Sequence, residues 1–115
     1  MTVRIQTGER MTVYLAGEID HHAAGGARME IDLAIERTHP VHVTLDFSGV
    51  TFMDSSGIGL ILGRHRLMQG LHGTLSVTGA APGLRKVMKL AGLDKLGILE
   101  NVENQKSAAS VFLTF

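Results

Sequence analysis

The sequence contains no cysteine and no tryptophan, and aromatic residues make up only 4% of its 115 residues. Without cysteine the chain cannot form a disulfide, a thiolate zinc site or a thiol nucleophile. So few aromatic rings argue against a stacking platform for single-stranded nucleic acid. Apolar residues make up 44% of the chain. A domain of this length can bury an ordinary apolar core without metal or disulfide support.

The chain also lacks an excess of charge of either sign, with 11 basic and 11 acidic residues. A net charge of zero argues against electrostatic binding to nucleic acid or to an anionic membrane. The start, MTVRIQTGER, has no apolar signal-peptide core, and the nearly apolar stretch 58–63 is too short to span a bilayer. We therefore expect one cytoplasmic domain over residues 1–115, with no nucleic-acid or membrane partner and no need to be more than a monomer.

Hydrophobic periodicity predicts the secondary structure. Alternating apolar residues indicate a hairpin within 2–20 and strands at 41–47 and 74–78, with VTFMD following a turn at Ser48-Gly49. Spacings of three to four indicate helices over 21–37 and 56–69, a third beginning at Pro82, and a terminal helix over 104–115. A short extended segment is expected at 96–101. This order predicts an α/β fold, a small mixed β-sheet with about four helices packed against it.

Two strand-to-helix turns, GEIDHH and FMDSSG, fall where sites form in such sheets, at the carboxyl ends of strands. Asp20 is expected to cap the first helix, and Asp54 or Ser56 the second. Gly57, Gly59 and Gly63 are expected to let the second helix approach a neighbour closely.

Neither turn matches an enzyme motif well. The stretch around Ser55 and Ser56 lacks the first glycine of a hydrolase nucleophile elbow, and the Gly57-Ile58-Gly59 run lacks the third glycine and the acidic residue of a dinucleotide site. Adjacent His21 and His22 diverge by about 100° on a helix and cannot chelate one ion together. A catalytic or metal-binding role is therefore not favoured.

The DSSG stretch has two interpretations. An Asp or Ser before a helix is a common N-cap, but two hydroxyls are more than one cap needs. A phosphate at a helix N-terminus is tolerated because the helix dipole favours an anion. Phosphoserine adds about −1.5 to −2 charges, so a modified serine beside Asp54 and Asp20 would create a dense negative patch that weakens docking.

The segments LAGEIDHHAA, VTFMDSSGIGLILGR and APGLRKVMKLAGLDKLGIL together resemble the STAS-domain anti-sigma factor antagonists, over nearly the whole chain. The first two segments lean towards the sporulation branch. The resemblance implies a STAS fold and a protein whose unphosphorylated form binds an anti-sigma factor, which is also an ATP-dependent serine kinase, and releases the sigma factor. A metal-dependent serine phosphatase restores binding. ATP and magnesium belong to the kinase, so no cofactor and no catalytic role is expected here.

The resemblance also implies the site residues. The acceptor is the first serine after the aspartate, Ser55, and the partner-binding surface comprises Asp20, Asp54, Ser55, Ser56, Gly57 and Ile58. Two other assemblies stay open, a general stress-response partner switch and a transporter-associated complex, although the DSSG acceptor favours an antagonist over a transporter accessory.

Overall fold

The computed structural model describes residues 1–100 of the chain. They form strands and helices in the order β1 (Thr2–Gln6), β2 (Arg10–Ile19), α1 (His21–Thr38), β3 (His42–Met53), α2 (Ser55–Gly70), β4 (Thr74–Thr78) and α3 (Pro82–Leu90). The predicted hairpin, inner strands and first three helices are thereby confirmed. The terminal helix predicted over 104–115 lies outside the described residues.

The sheet has the strand order β1-β2-β3-β4. The hairpin pairs β1 antiparallel to β2, whereas β2 pairs parallel to β3 and β3 parallel to β4. The parallel pairs follow from the helical connections, since α1 and α2 each carry the chain back to the starting end of the sheet. The extended segment expected at 96–101 contributes one parallel bridge, between Leu99 and Val77. The predicted mixed sheet is confirmed.

The core lies on one face of the sheet, beneath α1 and α2. Every second residue of β2 up to Leu15 and of β3 up to Phe47 points into it, as the period-two alternation predicts. α1 adds Ala27, Ile31 and Ile35, and α2 adds Leu60, Ile61 and Met68. The buried strand residues include Met11, Val13, Leu15, Val43, Leu45, Phe47, Leu75 and Val77.

The turn predicted at Ser48-Gly49 is wrong, because β3 continues through these residues to Met53. The pairing passes from Tyr14–Asp46 to Ala16–Gly49, so β3 carries one extra residue there and forms a bulge, and a second extra residue, Thr51, falls between the pairs Gly17–Val50 and Glu18–Phe52. A Cβ on Gly49 would lie 2.8 Å from the Cβ of Ala16, so glycine is needed where the strands approach. The backbone N–H of Ser48 donates to the Asp46 carboxylate at 2.9 Å, which stabilises the bulge locally.

Two expectations about helix faces are also corrected: that the third helix turns Leu84, Val87, Met88 and Ala91 inward, and that all three glycines of the second helix approach a neighbour closely. In α3 only Met88 is buried and Val87 is 46% exposed, because this nine-residue helix presents a single narrow row to the core. In α2 only Gly57 makes a close approach, since a Cβ on Gly59 or Gly63 would meet nothing within 4 Å.

Candidate functional site

The two strand-to-helix turns singled out in the sequence lie side by side. Ile19 at the end of β2 pairs with Met53 at the end of β3. The N–H of Asp54 donates to the carbonyl of Ile19 at 3.2 Å, which joins the turns directly. Because β2 and β3 are parallel neighbours, their carboxyl ends lie at the same edge of the sheet. Asp20 follows the end of β2 and Asp54 follows the end of β3.

Both aspartates are helix N-caps. Asp20 accepts a hydrogen bond from the N–H of Ala23 at 2.8 Å, and Asp54 accepts one from the N–H of Ser56 at 2.8 Å. Each bond satisfies a backbone donor that the helix leaves free, and such caps contribute about 1 kcal/mol. Of the two caps left open for α2, the structure selects Asp54, and the helix begins at Ser55 rather than Ser56.

The two serines have different surroundings. Ser55 is the first residue of α2 and is exposed, and none of the residues in 1–100 forms a hydrogen bond with its hydroxyl. Ser56 is half-buried, and its Oγ lies 3.5 Å from Nδ1 of His21 on α1. Ser55 therefore offers the accessible, unengaged hydroxyl at the positive end of the α2 dipole.

Gly57 and Ile58 lie deeper than the serines. Gly57 is buried, and a Cβ there would lie 2.1 Å from Cγ of Met53. Ile58 is half-buried and packs against the core. Gly57 therefore has a packing role, since its missing side chain lets α2 start directly over the end of β3. The partner contacts expected of both residues stay predictions.

Sequence reasoning missed Phe52, which is 49% exposed although it belongs to an apolar run. It lies two residues before Asp54 and directly follows the second register shift of β3, at Thr51. The bulge interrupts the simple alternation of buried and exposed residues, so periodicity alone gave no signal for this exposed ring.

Sequence reasoning also missed a groove of about 440 Å³ between α1 and α2. We call it the helix groove. Arg64, a buried residue that lines the groove, forms an ion pair with Asp32, with 2.7 Å between Nε and Oδ1. Burial lowers the pKa of Arg64, and the charge of Asp32 opposes that effect. The lining residues are His21, Ala24, Gly25, Arg28, Ser56, Gly59, Leu60, Gly63 and Arg64.

The described part of the chain offers neither a metal site nor a membrane span. Within residues 1–100, no three histidine, aspartate or glutamate side chains come together as metal ligands would. No helix among these residues combines the length and apolarity needed to cross a membrane. The feature that remains is the pair of capped turns with the exposed serine.

The architecture defines a small single α/β domain with a mixed sheet. Residues 1–109 match the model of the STAS domain, and the chain belongs to the STAS-domain family. It is 38% identical over 86 residues to an anti-sigma F factor antagonist from Paenibacillus polymyxa, covering 75% of this chain and 74% of that protein.

Solved structures agree with this assignment. The anti-sigma factor antagonist SpoIIAA in its unphosphorylated form superposes with a TM-score of 0.77 at 30% identity, covering 96% of each chain. The Bacillus cell fate determinant SpoIIAA in its phosphorylated form gives a TM-score of 0.70 at 30% identity, covering 96% of this chain and 99% of that one. The STAS fold expected from the sequence is confirmed.

Proposed function

We propose that this protein is an anti-sigma factor antagonist switched by phosphorylation of Ser55. Its unphosphorylated form binds an anti-sigma factor that is also a serine kinase, and this binding releases the sigma factor in the cytoplasm. The observation that carries the proposal is the exposed, unengaged Ser55 hydroxyl at the start of α2, beside the capping carboxylate of Asp54. The relatives described above, all antagonists of anti-sigma factors, support it.

The chain acts as a substrate of the kinase. The Ser55 hydroxyl oxygen attacks the γ-phosphorus of ATP on the kinase, the bond from that phosphorus to the bridging oxygen breaks, and ADP leaves. The hydroxyl proton passes to a base of the kinase. A metal-dependent serine phosphatase then hydrolyses the phosphoserine and restores the hydroxyl. This chain supplies the positioning, because Asp54 fixes the first turn of α2 and hence the place of Ser55.

The switch is electrostatic. A phosphate on Ser55 adds about −1.5 to −2 charges next to Asp54, with Asp20 at the adjacent strand end. A partner that covers this surface must remove that charge from water, which is costly without a matched cation. The partner surface proposed here comprises Asp20, Asp54, Ser55, Ser56, Gly57 and Ile58, and phosphorylation at its centre lowers the affinity.

Phosphorylation and binding assays test the proposal. With the kinase and ATP, mass spectrometry should find one phosphate, on Ser55; phosphate on Ser56 instead would show that the acceptor is misassigned.

By calorimetry, Ser55→Asp should bind the kinase at least about tenfold more weakly than wild type, because a charge beside Asp54 opposes docking. Ser55→Ala should bind and resist inactivation. Unchanged affinity of Ser55→Asp would contradict the electrostatic switch.

A further inference from the structure

The helix groove is kept open by glycines that the fold does not require. Gly25 of α1 and Gly59 and Gly63 of α2 line it, and a Cβ built on any of them meets nothing within 4 Å. Each glycine inside a helix makes the helix less stable than alanine would. Packing therefore does not account for these residues, and the space they leave is free to receive a side chain from outside.

The charges that line the groove favour an anion. Asp32 balances Arg64 through their 2.7 Å ion pair, whereas Arg28 is exposed and forms no ion pair with any residue of 1–100. The positive charge of Arg28 helps to lower the pKa of Arg64. His21 lies at the mouth of the groove, with its Nδ1 3.5 Å from Oγ of Ser56. Arg28 also borders Glu30, Asp32 and Glu36, but none of these three forms an ion pair with it, so its guanidinium can bind an incoming carboxylate through paired hydrogen bonds.

The position of the groove points to a protein occupant. Ser56 lines the groove and directly follows Ser55, the proposed acceptor. A partner that covers Ser55 therefore also reaches the mouth of the groove. Gly63 lies eight residues after Ser55, about 12 Å further along the helix axis, so the groove leads away from the acceptor for roughly two turns.

We propose that the helix groove receives an acidic side chain, aspartate or glutamate, of the anti-sigma factor that docks over Ser55. This inference rests on the proposed function and extends the partner surface from the strand ends onto α1 and α2. Arg28 binds the incoming carboxylate, and the three glycines provide the room for it. A phosphate on Ser55 stands beside the mouth and repels that carboxylate, which links the groove to the switch.

Calorimetry with the purified anti-sigma factor tests the inference through four variants. Arg28→Ala removes the free cation, and Gly63→Leu fills the groove far from Ser55. Gly26→Leu is the matched control. A Cβ built on Gly26 also meets nothing within 4 Å, but Gly26 does not line the groove. Ser55→Asp reports on the proposed function itself. Circular dichroism confirms that each variant is folded.

We expect Arg28→Ala and Gly63→Leu to weaken binding by about tenfold or more, and Gly26→Leu to stay within about twofold of wild type. Arg28→Ala should also show a shallower fall of affinity between about 50 mM and about 300 mM salt. If Arg28→Ala and Gly63→Leu both bind with wild-type affinity while Ser55→Asp binds weakly, the helix groove does not bind the anti-sigma factor. The phosphorylation switch at Ser55 would still be supported. Failure of wild type itself to bind would overturn the proposed function.

Discussion

Three consecutive residues at the start of α2 have separate tasks. The carboxylate of Asp54 is engaged as the cap, Ser56 lies half-buried beside His21, and Ser55 is exposed with no hydrogen bond to its hydroxyl among residues 1–100. A modification at Ser55 therefore breaks no bond of the described fold. The same chemistry at Ser56 would disturb the contact between its Oγ and Nδ1 of His21.

Gly57 is the residue at which the site depends most directly on packing. Gly57→Ala should destabilise the protein by about 1–2 kcal/mol, because a new Cβ 2.1 Å from Cγ of Met53 forces that side chain to move, and overpacking of this kind outweighs the gain in helix propensity. Urea unfolding measures the change in the free energy of unfolding.

The matched control for this change is Gly59→Ala, two residues along the same helix, where a Cβ meets nothing within 4 Å. This variant should be as stable as wild type or more stable, by up to about 1 kcal/mol. Equal effects of the two substitutions would contradict the packing role assigned to Gly57.

At the scale of the element, Asp20 combines a structural with a proposed functional role. As the cap of α1 it accepts from the N–H of Ala23 at 2.8 Å, so Asp20→Ala should cost about 1 kcal/mol. Asp20→Asn keeps a capping oxygen and should cost less, but it loses the charge proposed to contact the partner. Thermal melts and calorimetry separate the two roles. If Asp20→Asn and Asp20→Ala both bind the anti-sigma factor like wild type, the proposed contact is wrong.

His42 links β3 to β4 on the face of the sheet away from the core. Its Nδ1 lies 2.7 Å from Oγ1 of Thr74 and its Nε2 lies 3.0 Å from Oγ of Ser76. Burial, followed by the charge of Arg10, lowers the pKa of His42, while Glu100 opposes the shift. The unfolded chain therefore binds a proton on this histidine more readily than the folded chain does, so acid favours unfolding.

It follows that the stability contributed by His42 is present above about pH 6.5 and is lost as the pH falls through the lowered folded-state pKa. Urea midpoints of wild type should drop between about pH 8 and about pH 5.5 by more than those of His42→Gln, which keeps polar contacts but does not titrate. Comparison of the two proteins cancels the contribution of the other histidines. Equal drops in the two proteins would show that His42 does not couple folding to pH.

The elements themselves could largely be predicted from the sequence, because alternation and three-to-four spacing report which face of each element is buried. The bulge could not, since Ser48-Gly49 has the composition of a turn and only pairing with β2 keeps it extended. The cap of α2 was ambiguous because Asp54 and Ser56 are both good cap formers. The helix groove depends on how α1 and α2 pack together, which no single segment encodes.

At the scale of the whole molecule, the proposed switch changes the surface and not the fold. Net charge is zero, so the binding face is set by local charges rather than by a field of the entire protein. Ser55 lies outside the core, whose residues come from the sheet and the inner faces of the helices. Phosphorylation should accordingly alter recognition while the unfolding transition stays close to that of the unmodified protein.

This separation gives the last prediction. Protein phosphorylated stoichiometrically at Ser55 should melt within a few degrees of the unmodified protein, because the attraction of the phosphate to the α2 N-terminus, about 0.3–1 kcal/mol, is offset by repulsion from Asp54. Binding to the anti-sigma factor should meanwhile fall by about tenfold or more. Calorimetric melts and titrations on the same sample measure both. A large drop in melting temperature together with the loss of binding would mean that phosphorylation acts by unfolding the site, and the surface mechanism would be excluded.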